Sequence, residues 1–210
     1  MRFRKTTAAL ALVPLTMTGL AVGVAGAGPA GATAKSDPMF PIDFIVKAST
    51  HIAKLNQTIT IPAGKFVGSL DLITGNLVGH ITLPPASTTV SIGGIGLATV
   101  GFATAPVGPV TGHVNLAKLT LTSTTKFIAK IPYVHPLGLP VNLVGNNCQT
   151  ATPVSITFGG KVNFSGSTFS STYTIPNLQN CLLLTPALNL LVPGPGNTFT
   201  AKFSPAPAKS

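Results

Sequence analysis

Few side chains in this sequence could do chemistry. From residue 35 onward the chain holds three aspartates (Asp37, Asp43, Asp71), four histidines (His51, His80, His113, His135), two cysteines, and no Glu, Arg or Trp. His80 and His113 lie in matching pentads, Gly79-His80-Ile81-Thr82-Leu83 and Gly112-His113-Val114-Asn115-Leu116. If the two segments were neighbouring strands, both imidazoles could share a face with Asp71. Such a trio could ligate zinc or iron, or set a base beside its orienting acid. The spacing argues against it. Neither H-x-H nor H-x-x-x-H occurs, and strand alternation puts each imidazole opposite the apolar residues of its pentad, on the solvated face. His51 and His135 stand alone. There is no G-x-S-x-G for a serine nucleophile. The two flanking carboxylates of a glycosidase have no candidates among so few acids. None of the glycine-rich steps has phosphate-loop form. The expectation is a protein that is not an enzyme, with no catalytic residue, metal or cofactor.

Cys148 and Cys181 permit one intramolecular disulfide. Two buried thiols or an intermolecular bridge are the alternatives. Such a bridge would stabilise the fold by about 3–4 kcal/mol through loop closure. It is not a redox pair, since that chemistry uses C-x-x-C. Just past Cys181 runs the most apolar stretch after residue 35, Leu182 to Val192. Thr185 is expected to cap a short helix there, with Pro186 at its first position. Leu184, Leu188, Leu191 and Val192 are the candidate ligand-binding residues, set at the mouth of an apolar cavity. The competing expectation is that this stretch only plugs the open end of a β core, or is an exposed partner-binding patch.

The elements that must position these residues read as short strands. Val154, Ile156 and Phe158 alternate with polar residues, as do Val162 and Phe164, and Phe169 to Ile175. This predicts a three-stranded meander, or two hairpins, between the cysteines. Further strands are expected at 44–46, 58–61, 66–72, 77–83, 88–92, 95–104, 110–116, 119–131, 141–144 and 198–203. Pro62-Ala63-Gly64 and Pro132 to Gly138 are read as breaks. Turn signals every 8–12 residues with no room for long crossovers predict an all-β, single-domain antiparallel β-sandwich, with a small β-barrel as the alternative and one or two short helices at most.

Arg2, Arg4 and Lys5, the apolar stretch from Ala8 to about Gly28, and Ala32-Thr33-Ala34 predict a secretory signal peptide over 1–34. The β domain is then 35–203 and the Pro/Ala-rich 204–210 a disordered tail. No transmembrane span is expected after cleavage. Ten lysines against three aspartates make the remaining chain basic. Without arginine or a basic cluster this points away from nucleic acid and toward an anionic envelope polymer or lipid. The oligomeric state is left open.

Asn180-Cys181, Thr185-Pro186-Ala187-Leu188-Asn189-Leu190-Leu191, Gly194-Pro195-Gly196-Asn197-Thr198, Leu83-Pro84-Pro85 and the region of Cys148 resemble a group of exported β-rich proteins from high-GC Gram-positive bacteria. The resemblance implies a secreted β domain and carries no assigned activity or site residue. The leading expectation is a secreted, non-enzymatic protein that binds or helps organise the bacterial cell envelope, outside the cell or on its wall. The second is a carrier of a lipid or other apolar small molecule. A metal-dependent enzyme comes last.

Overall fold

A computed structural model describes residues 39–92 and 95–207. The expected signal peptide, residues 35–38 and the last three residues lie outside these. The described residues all belong to one compact unit. In chain order the strands are β1 (Met39–Ile52), β2 (Gln57–Asp71), β3 (Asn76–Thr82), β4 (Ala86–Ile92), β5 (Ile95–Pro106), β6 (Val110–Asn115), β7 (Thr120–Lys130), β8 (Val134–Pro136), β9 (Gln149–Thr150), β10 (Val154–Lys161), β11 (Ser167–Ile175), β12 (Leu178–Gln179) and β13 (Gly194–Pro205). Among the described residues one helix, α1 (Thr185–Leu191), follows a 3-10 turn at Leu182–Leu184, and another such turn spans Ala53–Leu55.

Every pair of strands is antiparallel. The main path runs β11-β13-β1-β2-β3-β6-β7, and β10 lies on the far edge of β7. β5 and β6 share the near edge of β7: Ala103–Pro106 face Lys130–Phe127, and Thr111–Asn115 face Thr124–Thr120. They act as one long strand interrupted at Val107-Gly108-Pro109, where Pro109 brings no donor to the ladder. The rest of β5 leaves the main sheet to pair with β4 and β8. Period-2 alternation explains why the sheet rolls around its apolar side. In β10, Val154, Ile156 and Phe158 are buried while Ser155 and Thr157 are exposed. In β13, Phe199 and Ala201 are buried. The two ends of the sheet come together at β10 and β11, where the rings of Phe158 and Phe169 lie 6.3 Å apart. Among the described residues no ladder joins them, so the sheet stays open and the fold is an all-β sandwich with one short helix, not a closed barrel.

The core has two parts. The larger gathers Val46, Ile61, Phe66, Leu70, Ile156, Phe169 and Phe199 inside the rolled sheet. The smaller holds Ile131, Val134, Val144, Leu178 and the disulfide of Cys148 with Cys181, at one end of the molecule. Val192 packs against both.

Several local expectations need correction. β2 runs straight through Pro62-Ala63-Gly64, because the extra residue is absorbed as a bulge opposite Lys47. Val162 to Phe164 is not a strand: Asn163 Oδ1 accepts from the N–H and hydroxyl of Ser165, closing a turn, and β10 and β11 pair with β7 and β13 rather than with each other, so the stretch between the cysteines is not a meander. Residues 141–144 are irregular, and the supposed break at 132–138 contains β8. β13 continues to Pro205, into the segment expected to be a tail. Thr185 does not cap α1. Its hydroxyl accepts from Cys181 N–H and donates to the Leu182 carbonyl, while Leu184 occupies the cap position without a side-chain bond.

Candidate functional site

The residues singled out for metal or acid–base chemistry have other occupations. β3 pairs with β6 so that Asn76 faces His113 and Gly79 faces Val110, which leaves His80 four residues along the ladder from His113's partner. Both imidazoles are exposed. The carboxylate of Asp71 turns back on its own hairpin. It accepts from the N–H groups of Ile73 and Thr74 and from the Thr74 hydroxyl. The Thr74 hydroxyl first, then the two amides, hold its pKa below the ordinary aspartate value. His51 Nδ1 lies 3.2 Å from the Thr58 hydroxyl, and His135 stacks on Tyr133. No cluster of three or more potential metal ligands occurs among the described residues.

The end of the molecule around the disulfide is different. Large aliphatic side chains are held outward there on two segments. On the loop after β8, Leu137, Leu139 and Val141 are each more than half exposed. On the turn and helix past Cys181, Leu183 is 95 % exposed and Leu190 75 %. Leu182 is exposed as well, and it lies beside Gly145 of the other segment. Between Ile131 and Gly160, and again between Val162 and Ala201, the sequence has no Asp, Glu, Lys or Arg. Lys54 and Lys130, both exposed, border this face: Lys54 Nζ donates to the Leu190 carbonyl at 3.2 Å, and Lys130 lies opposite Gln149, next to Cys148.

This face is built rather than frayed. The Asn142 amide makes four hydrogen bonds. Its oxygen accepts from Val134 N–H and Val144 N–H, and its nitrogen donates to the carbonyls of Pro132 and Gly145. The Asn189 amide clamps α1 to β12 in the same way, accepting from Leu178 N–H at 2.6 Å and donating to its carbonyl at 3.0 Å. The disulfide ties both segments from beneath. Leu182 has a left-handed backbone, φ 53°, which is unfavourable for a residue with a Cβ. A strained backbone persists only where its surroundings over-determine it, so Leu182 and Leu183 point outward by construction.

Inside the rolled sheet, two of the apolar hollows bear on this end and on the seam. One, of about 80 Å³, lies under the β10/β11 seam among Phe66, Leu70, Phe158 and Phe169. The other, of about 70 Å³, lies near the aliphatic face among Ile52, Ile59, Phe127, Tyr173 and Val192. Of the four candidate ligand-binding residues, Val192 lines this second hollow. Leu184 and Leu188 pack against the smaller core, and Leu191 is exposed. Sequence reasoning missed the loop Leu137–Leu143 as a partner of the 182–192 stretch. The signal was available in its four aliphatics without a charge, but nothing local said that Asn142 would hold them out.

No family model matches this chain, and no curated protein or solved structure matches it. Among the described residues no helix is long and apolar enough to cross a membrane.

Proposed function

We propose that this protein is a non-enzymatic, exported component of the cell envelope that docks on a lipid surface through the aliphatic face beside its disulfide. The observation that carries this reading is the charge-free set of outward aliphatic side chains on two segments tied by Asn142, Asn189 and the Cys148–Cys181 bond. Interfacial binding needs apolar side chains that reach into the acyl boundary and cations at headgroup level. Lys54 and Lys130 stand where those cations belong. The basic balance of the chain favours an anionic surface, at about 1 kcal/mol per nearby lysine. Protein interfaces are rich in Tyr, Trp and Arg at their centres, whereas this face is nearly all leucine, which suits lipid better. A formed disulfide fits the oxidising compartment that the predicted signal peptide implies.

Burying one leucine is worth about 1.5–3 kcal/mol, so two charges placed here should abolish docking. The test is co-sedimentation of residues 35–210 with vesicles of phosphatidylglycerol and phosphatidylcholine, beside Leu183→Asp/Leu190→Asp. Binding is expected for the unsubstituted chain, weakening with salt and with a falling anionic fraction, and absent for the double variant. Equal binding of both proteins, or none by either, overturns the proposal.

A further inference from the structure

Gln57 opens β2, opposite Ile52 across the β1–β2 ladder. Its side chain lines the second interior hollow, and its Oε1 is the one buried side-chain nitrogen or oxygen among the described residues that has no hydrogen-bond partner. A buried acceptor left without a donor is costly, and each such atom in a folded protein calls for an explanation. The neighbouring polar groups do not supply one. The Tyr173 hydroxyl lies 2.6 Å from Thr50 Oγ1, whose own proton goes to the Thr198 carbonyl, so Tyr173 donates to Thr50. Thr150 Oγ1 accepts from Ala129 N–H, and its own hydroxyl proton does not reach Gln57 Oε1. Thr88 also lines the hollow without bonding Gln57, and most of the remaining wall is aliphatic or aromatic, with Ile59, Val154, Ile175 and Val192 among its members.

The shape of the interior narrows what could satisfy Gln57. The second hollow, about 70 Å³, is followed by one of about 20 Å³ that shares Phe127 with it. That middle hollow shares Ile81, Thr125 and Phe158 with the hollow of about 80 Å³ under the seam. Three hollows therefore share walls in succession, with phenylalanine rings between them. Each is far below the roughly 300–1,000 Å³ of a site for a drug-sized molecule. The space suits an unbranched chain, not a ring system.

We infer that the second hollow is a binding site for a linear aliphatic alcohol. The ligand hydroxyl donates to Gln57 Oε1 and the alkyl tail runs past Phe127 toward the middle hollow. This site does not depend on docking at a lipid surface, although Val192 places it directly behind the aliphatic face.

The test is a titration of residues 35–210, carrying labelled methyl groups, with primary alcohols from 1-butanol to 1-octanol and with methyl hexyl ether, which has no donor. Saturable shifts are expected at the methyls of Ile59, Val154, Ile175 and Val192. Affinity should rise about fourfold per added methylene until the space is filled. The ether should bind about tenfold or more weakly than 1-hexanol. In Gln57→Leu the two should bind alike. No saturation, shifts spread over the whole molecule, or equal binding of alcohol and ether by the unsubstituted protein overturns the inference. The same follows if water alone occupies the partner position of Gln57 and persists at saturating alcohol. Because the unsubstituted protein decides the matter, a poorly folded variant does not blunt the test. Vesicle binding without alcohol binding removes this site and leaves the docking proposal standing, and the reverse result does the opposite.

Discussion

Asn142→Ala should collapse the loop that presents Leu137, Leu139 and Val141. The amide is half-buried and makes four hydrogen bonds, two accepted and two donated. Truncation leaves four backbone groups to be satisfied anew. Two of them, the Pro132 and Gly145 carbonyls, are on partly exposed residues that water can reach. The N–H groups of Val134 and Val144 belong to buried residues, and Val144 is fully buried. A buried group left without a partner costs about 1–3 kcal/mol, so two such donors give a loss of about 2–4 kcal/mol after partial rescue by water. Urea unfolding of residues 35–210 measures it, with hydrogen exchange reading the Val134 and Val144 amides one by one. Both amides should lose protection, and vesicle binding should fall although no exposed leucine has been touched. A loss below about 0.5 kcal/mol with both amides still protected would refute the view that Asn142 holds this face in place.

Two further perturbations bear on the same framework. Replacing Cys148 and Cys181 together by alanine should remove about 3–4 kcal/mol from unfolding stability by releasing loop entropy. Its midpoint in urea should fall while near-UV signals of the larger core persist at low denaturant. Asp71 gives a pH signature. Its folded pKa lies below the unfolded value near 3.8, so its stabilisation is full above that value and is lost as pH falls through the folded pKa. Stability measured from pH 6 down to pH 2 should show this acid-side loss, and Asp71→Asn should flatten that part of the profile. An unchanged profile would mean that the hairpin bonds from Thr74 and Ile73 carry no net preference for the carboxylate.

Residue alternation carried much of the fold. Val154-Ser155-Ile156-Thr157-Phe158 and Phe169 to Ile175 are strands because their apolar side chains fall on one face, and both are visible in the sequence. So was the disulfide, as the one pairing that two cysteines allow, and the short helix, although it starts at Thr185 and puts Pro186 one position further in than expected. What was hidden depends on contacts distant in sequence. Pro62-Ala63-Gly64 looks like a break, yet β1 holds β2 on both sides of it and the strand survives as a bulge. Ser123 and Thr125 face inward with Phe127 because β7 is flanked by β6, β5 and β10, and polarity alone would have turned them out. The outward set of Leu137 to Leu143 depends on an asparagine whose four partners come from both sides of the loop. Gln57 falls just outside the strand expected at 58–61, and only the closing of the rolled sheet sets its side chain against an apolar hollow.

The most direct measurement uses the absence of tryptophan from the sequence. Leu183→Trp places a single indole at the outermost point of the aliphatic face, and its emission reports polarity without background. With anionic vesicles the emission should move to the blue and be quenched by lipids brominated along their acyl chains, while Thr122→Trp on the exposed face of β7 stays at its water value. Emission from Leu183→Trp that remains at the water value, unquenched at saturating vesicle, would contradict docking through this face.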